Sequence, residues 1–207
     1  MGMKIAILGA ESTGKSTLAH DLTRALQAVG TPALTVAEYL REWCDLHQRT
    51  PHSDEQAGIA MEQTRRVAAP HGVAVVCDTT SMMTAIYSDV LFQDISLYTE
   101  ALADLRTYSH VLVMGLDLPW VEDGYQRDSP AGQQRVHQRL QTVLQEHDIA
   151  YSMVWGKAPC DSRRPCVSFY PTRWKTSAKP PNNTHVGLAN VRSVPTRPVN
   201  TASSGLC

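Results

Sequence analysis

Residues 9–17 of the chain, Gly-Ala-Glu-Ser-Thr-Gly-Lys-Ser-Thr, match the pattern GxxxxGK[ST] in full. The apolar run 4–8 precedes them, and leucines at helical spacing follow, so the pattern lies between a predicted strand and a predicted helix. In that setting, glycines let backbone N–H groups turn inward around a polyphosphate, and the helix N-terminus adds partial positive charge. The sequence therefore predicts a phosphate-binding loop.

Each part of this loop has an expected role. The Lys15 ammonium is expected to reach the β- and γ-phosphates of a nucleotide, and the Ser16 hydroxyl to join a magnesium shell. The remaining residues supply backbone or hydroxyl contacts to the phosphates: Gly9, Ala10, Glu11, Ser12, Thr13, Gly14 and Thr17. A chance match in a glycine- and serine-rich turn is the alternative, which the flanking strand and helix disfavour.

Short apolar runs alternate with amphipathic segments over the first 156 residues. The runs predict strands at 4–8, 33–36, 73–77, 110–114 and 150–155, and 3.6-residue spacing predicts helices at 16–29, 54–67, 96–106 and 132–147. Strands that alternate with helices in this way indicate a parallel sheet covered on both faces. We therefore expect a three-layer α/β/α fold with a five-stranded parallel sheet in the order 2-3-1-4-5.

The chain changes character near residue 156. Residues 157–207 contain eight basic residues, a single acidic one and seven of the 12 prolines, and they show neither helical nor strand periodicity. We expect a domain at 1–156 and an irregular tail at 157–207. The tail could be a disordered extension, an out-of-frame C-terminus or a basic segment that binds nucleic acid; the first two are favoured because its aromatic and basic residues form no repeated unit.

Two carboxylates are expected near the phosphate loop. Asp78 follows the apolar run 73–77, at the strand end where a second magnesium anchor usually lies; the alternative is an aspartate that caps the next turn. Glu38 stands at the matching place after the second strand and could take a proton from an acceptor hydroxyl. A solvated glutamate at a helix start is the other interpretation of Glu38.

The segment 117–130 connects the fourth strand to the last helix and is rich in charge. Gly124 could act as its hinge, and Arg127 and Arg135 could close on a transferring phosphoryl group. The alternative is a polar surface loop whose arginines pair with the neighbouring acids Glu122, Asp123 and Asp128.

Composition narrows the cellular setting. No run of 18 apolar residues is present, and the N-terminus lacks the layout of a signal peptide, so we expect no membrane span and a cytoplasmic protein. The five cysteines show no CxxC pair or metal-ligand spacing, which is typical of free thiols in a reducing compartment.

In combination, ILGAESTGKSTLA, VAEYLRE, VVCDTT and LDLPWVEDGYQRD resemble the kinase domain of NadR-type proteins, nicotinamide-ribonucleoside kinases of the P-loop superfamily. The resemblance covers about residues 4–156. It implies ATP- and magnesium-dependent phosphorylation of the ribose 5′-hydroxyl of nicotinamide riboside, within NAD synthesis. It places Glu38 and Asp78 toward substrate and magnesium, and Arg127 in the lid. This chain is similar to a stand-alone member, because it starts at the P-loop strand.

Three functions remain open at this stage. The first is a kinase of nicotinamide riboside, and the second a kinase of another nucleoside-like small molecule on the same frame. The third is a regulatory module that binds and slowly hydrolyses ATP without a small-molecule acceptor. We expect a kinase, since a switch would not need Glu38; nucleic acid is not an expected partner, and the oligomeric state stays open.

Overall fold

The computed structural model describes residues 2–70, 73–121 and 129–156, together with the backbone of 168–172. Its strands are β1 (Lys4–Leu8), β2 (Ala33–Val36), β3 (Ala74–Asp78), β4 (His110–Met114), β5 (Tyr151–Trp155) and β6 (Ser168–Thr172). Its α-helices are α1 (Lys15–Ala28), α2 (Tyr39–His47), α3 (Gln56–Ala68), α4 (Ser81–Phe92), α5 (Tyr98–Leu105) and α6 (Pro130–Glu146). A short 3₁₀ turn, Ser53–Glu55, precedes α3.

The first five strands form a parallel sheet in the order β2-β3-β1-β4-β5, as the sequence predicted. In this order β1 lies at the centre, with β3 on one side and β4 on the other. The loops that leave the carboxyl ends of β1, β2 and β3 therefore lie next to one another at the same end of the strands. Ligands collect at this end in open α/β folds.

Successive residues of the central strands point to opposite faces, and each face is covered by helices. Ile5 and Ile7 of β1 pack with Leu18 and Ala19 of α1 on one face. Ala6 and Leu8 belong to the larger cluster on the other face, which includes residues of α3, α4, α5 and α6. The strand period of two thus produces three layers from nearly continuous apolar runs.

Helices α2 and α4 were not among the predicted elements. In α4 every residue from Ser81 to Ser88 is buried, so this part of the helix has no solvent-facing side and no amphipathic stripe to detect. The hydroxyl of Thr80 accepts a hydrogen bond from the Met82 backbone N–H at 3.2 Å and caps the helix. Met82 and Met83 are packing residues of the core, as expected from their type.

A sixth strand extends the sheet beyond the five that were predicted. β6 runs antiparallel to β5, with Pro171 opposite Ser152, and it occupies the edge of the sheet. A proline has no N–H for a ladder hydrogen bond and is tolerated on edge strands, which agrees with this position. The strand comes from the segment in which no periodicity was found.

The described parts of the chain contain no helix that combines the length and the apolarity needed to cross a bilayer. Two cysteines lie in these parts, Cys44 and Cys77, and both are buried free thiols. Burial raises the pKa of the Cys77 thiol to about 12. A thiol with so little thiolate at neutral pH is a packing group rather than a nucleophile.

Candidate functional site

The loop between β1 and α1 has a backbone that two glycines make possible. A Cβ on Gly9 would lie 2.9 Å from the Cβ of Met114, closer than side chains pack. Gly14 precedes the first residue of α1 with φ of 82°, a left-handed conformation that L-residues rarely adopt. The predicted phosphate loop therefore leads directly into the N-terminus of α1, where unpaired backbone N–H groups attract anions.

Inside the loop, the Ala10 carbonyl is a shared acceptor. Thr13 Oγ1 donates to it at 2.7 Å, and the half-buried Lys15 ammonium donates to it at 2.8 Å. Lys15 is thus folded back over the loop. When a phosphate binds, its charged oxygens would replace the neutral Ala10 carbonyl as the acceptor for the Lys15 ammonium. A hydrogen bond between two charged groups is stronger than one to a neutral carbonyl.

Two contacts from outside hold the middle of the loop. The Ser12 hydroxyl donates to the carbonyl of Val121, and the buried side-chain amide of Gln133 on α6 donates to the Glu11 carbonyl at 2.6 Å. Ser12 has φ of 55° although it is not glycine. These contacts support a backbone conformation that would otherwise be unfavourable. Ser16 is half-buried and Thr17 exposed at the start of α1.

Asp78 is the last residue of β3 and pairs in register with Ile7 of β1, two residues before the loop begins. It is 6% exposed, and within the described ranges its Oδ1 is buried without a hydrogen-bond partner. Thr80, and not Asp78, is the residue that caps α4. A buried carboxylate oxygen without a donor is costly unless a ligand satisfies it.

Thr79 is a residue that sequence reasoning missed as part of the site. Its φ of 75° is unusual for a β-branched side chain. Its Oγ1 is also buried, and among the described residues it has no hydrogen-bond partner. Strained backbone and unsatisfied polar groups concentrate at functional sites. Nothing in the sequence signals the positive φ of Thr79.

Glu38 precedes the first residue of α2 and is 8% exposed. Since β3 separates β2 from β1, Glu38 lies one strand further from the loop than Asp78, as predicted. It does begin a helix, but it is not the solvated glutamate of the alternative interpretation. Burial raises the pKa of the nearby Cys44 thiol to about 11, and the negative charge of Glu38 adds to this shift.

The two predicted arginines have different outcomes. Arg127 lies outside the described residues, as do Glu122, Asp123, Gly124 and Asp128. Arg135 is an exposed residue of α6, one turn into the helix. Its position on α6 does not by itself bring it to the loop.

On the buried side of the same helix, burial lowers the pKa of His137 below its usual value, so its imidazole is neutral at neutral pH.

A cleft of about 230 Å³ opens beside the loop. Gly14, Thr17, Leu18, Leu118, Trp155 and Gly156 contribute to its lining. A Cβ on Gly115 would lie 2.2 Å from the Trp155 ring, so the ring packs directly on that backbone. The cleft is mostly apolar, and it adjoins the N-terminus of α1. It therefore suits a planar aromatic group that carries a phosphate chain.

Comparisons with known proteins agree with this geometry. A family model described as "AAA domain" matches residues 4–163. No curated protein sequence matches the chain.

Three solved structures are similar in fold. NadR protein in complex with NR superimposes with a TM-score of 0.58 at 20% identity over 79% of this chain, which spans only 46% of that protein. Thymidylate kinase from Ehrlichia chaffeensis gives 0.59 at 15% identity, covering 79% of this chain and 92% of that one. Deoxyadenosine kinase from M. mycoides gives 0.50 at 14% identity, covering 77% and 92%. At such identities the similarity concerns the fold.

Proposed function

Because the chain belongs to the AAA-domain family and has the fold of P-loop kinases, we propose that it transfers the γ-phosphoryl group of ATP to a hydroxyl of a small nucleoside-like molecule. The main support is the pair of buried carboxylates, Asp78 and Glu38, at the ends of neighbouring strands beside the phosphate loop. A nucleotide-binding module without an acceptor needs the loop and one carboxylate. The second buried carboxylate favours an acceptor site.

ATP would occupy the loop and the adjoining cleft. The adenine would lie in the cleft that Leu118 and Trp155 help to line, and the triphosphate would follow the backbone N–H groups from Gly9 to Gly14 into the N-terminus of α1. Lys15 then leaves the Ala10 carbonyl for the β- and γ-phosphates. Thr17 is exposed and lines the cleft, and we propose that its hydroxyl contacts the α-phosphate.

The residues at the loop fit a magnesium ion. Mg²⁺ prefers oxygen ligands and in nucleotide sites uses one or two protein groups besides phosphates and waters. Asp78 Oδ1, which has no hydrogen-bond partner among the described residues, and the Ser16 hydroxyl would form such a set. In the described parts of the chain no cluster of three or more acidic, histidine or cysteine ligands exists. When bound, the ion neutralises charge that develops on the phosphates.

In the proposed reaction, Glu38 accepts the proton of the acceptor hydroxyl while that oxygen forms a bond to the γ-phosphorus. The bond from the γ-phosphorus to the β–γ bridging oxygen breaks, and ADP leaves. Lys15 stabilises the charge on the transferring group. Arg127, outside the described residues, and the exposed Arg135 are proposed to approach this group from the segment before α6 and from α6 itself.

Nicotinamide riboside is the proposed acceptor. The support is the combined resemblance of the four sequence segments to NadR-type kinase domains and the similar fold of the NadR structure in complex with NR. NAD synthesis would then be the setting of the reaction. Other nucleosides are the competing acceptors, since a deoxyadenosine kinase also has a similar fold.

A panel of nucleosides with labelled ATP tests this proposal. We expect transfer to nicotinamide riboside, with turnover in Glu38→Gln reduced about 10²-fold or more because the variant cannot take the proton. The matched control is Glu42→Gln, which changes an exposed glutamate on the same helix that pairs with Arg66. Transfer only to another nucleoside would move the acceptor assignment to that nucleoside. Hydrolysis of ATP that no acceptor stimulates would contradict the kinase proposal.

Thr79 offers a second test. Thr79→Gly removes the hydroxyl and relieves the steric conflict at φ of 75°. We expect a free energy of unfolding within about 1 kcal/mol of the wild type. Turnover should nevertheless be at least about tenfold lower, because the buried hydroxyl next to Asp78 would no longer be there to bind the ligand. Thr79→Ser keeps the hydroxyl and should retain most of the turnover. Urea unfolding and phosphoryl-transfer rates measure both quantities; full turnover in the glycine variant would assign Thr79 a structural role.

A further inference from the structure

One hydrogen bond in the site joins two residues 122 positions apart. Gln133 Nε2 donates to the backbone carbonyl of Glu11 at 2.6 Å, and both residues are buried, at 6% and 7% exposure. We propose that Gln133 is a positioning residue for the triphosphate: it fixes the orientation of the Glu11–Ser12 peptide and thereby the affinity of the loop for phosphate. This inference rests on the proposed binding of ATP.

The geometry of a trans peptide explains the effect. The carbonyl and the N–H of one peptide unit point in opposite directions. With the Glu11 carbonyl held toward α6 by Gln133, the N–H of Ser12 points away from α6. In a phosphate loop the amides must converge on the anion, and a rotated peptide would present a carbonyl oxygen there instead. The amide of Gln133 therefore selects the orientation that binds phosphate.

The hydrogen bond from Gln133 helps to maintain a strained backbone conformation at Ser12. Ser12 has φ of 55°, a conformation that costs on the order of 1 kcal/mol or more for a residue other than glycine. Peptide rotation would relieve this strain. The Ser12 hydroxyl bonded to Val121 restrains the side-chain end, and Gln133 restrains the peptide before it. A triphosphate binds more tightly to a loop that has already adopted its binding conformation.

The donor itself is held rigidly. Ser129 caps α6 by accepting from the Gly132 backbone N–H at 3.2 Å, and the Gln133 backbone N–H donates to the Ser129 carbonyl at 2.9 Å. Val136 and Leu140 anchor the same face of α6 in the main core. Gln133 thus projects from the capped first turn of a packed helix, which is the kind of support that keeps a binding group in place.

The test compares the affinities of the full chain for ATP and for adenosine, with unfolding temperature as a further measurement. In Gln133→Leu we expect ATP affinity to fall roughly tenfold to 100-fold, the usual effect of an unmade buried hydrogen bond, while adenosine affinity changes less than about twofold because the cleft is untouched. Gln134→Leu, at the exposed neighbouring position, is the matched control and should change neither affinity.

A second variant avoids dependence on one substitution. Gln133→Glu keeps the shape but loses the donor when ionised, so its ATP affinity should recover as the pH falls and the carboxyl acquires a proton. A purely structural role would lower the affinities for ATP and adenosine together, and that result, or an unchanged ratio, would overturn the inference. Absence of ATP binding in the wild type would instead contradict the proposed function, and this inference with it.

Discussion

Lys15→Ala is expected to lower phosphoryl-transfer turnover by about 10²- to 10³-fold, the usual loss for one preorganised charged donor at a reacting group. Its affinity for ATP should fall at least about tenfold, because hydrogen bonds between charged partners contribute more than neutral ones. The fold should survive the change. The Ala10 carbonyl, to which Lys15 now donates, keeps Thr13 Oγ1 as a donor at 2.7 Å.

Fluorescence titration with an ATP analogue, turnover assays and thermal unfolding measure these effects separately. Arg24→Ala is the matched control, because it removes one positive charge from an exposed position of the same helix and should leave affinity and turnover within about twofold. If Lys15→Ala retained both the affinity and the turnover of the wild type, the loop would not be the phosphate site, and the proposed function would fail at its first step.

The sheet could be predicted because each of its parallel strands has a local signature. A parallel strand buried on both faces is a short apolar run, and 4–8, 73–77 and 110–114 are such runs next to glycine or aspartate turns. The strand order also followed, since the structure confirms β3 between β2 and β1. The edge strand β6 could not be predicted, because an edge strand with a proline lacks these apolar and alternating features.

Helix α4 marks the limit of periodicity as a signal. Amphipathic spacing reports a boundary between core and water, and α4 meets protein from Ser81 to Ser88 on every side. Thr80 is of a residue type that often caps helix N-termini, and its place directly before Ser81 could have indicated the start of α4. The helix matters for the site because it begins two residues after Thr79 and holds the end of β3 in place.

The residues of the candidate site also form two groups, those that could be located from the sequence and those that could not. The glycine loop, Asp78 and Glu38 could be located from sequence, because each lies within two residues of the end of a predicted strand. Thr79 and Gln133 could not, since one depends on a backbone angle and the other on a contact across 122 residues. Local sequence patterns report neither tertiary contacts nor positive φ in a β-branched residue. The roles of the predicted residues remain predictions, which Lys15→Ala and Glu38→Gln test for the loop and Glu38, and Asp78→Asn tests for Asp78.

Asp78→Asn is the second change with a large expected effect. The amide has nearly the same volume as the carboxylate but no charge, so it is a poor ligand for Mg²⁺. We expect turnover to fall about 10²-fold or more, and the magnesium concentration needed for half-maximal turnover to rise. The free energy of unfolding should be equal to or greater than that of the wild type, because Oδ1 of Asp78 is buried with no donor among the described residues, and a neutral amide is less costly to bury.

Opposite signs of these two effects would identify Asp78 as a ligand-binding group rather than a structural one. A structural carboxylate stabilises the fold through its partners, so its removal lowers stability and turnover together. A carboxylate kept for a ligand lowers stability in the free protein and is compensated when the ligand binds. Thermal unfolding should therefore show a smaller stabilisation by magnesium and ATP in Asp78→Asn than in the wild type. The exposed Asp45→Asn serves as the control, and an Asp78→Asn protein with wild-type magnesium dependence would remove Asp78 from the site.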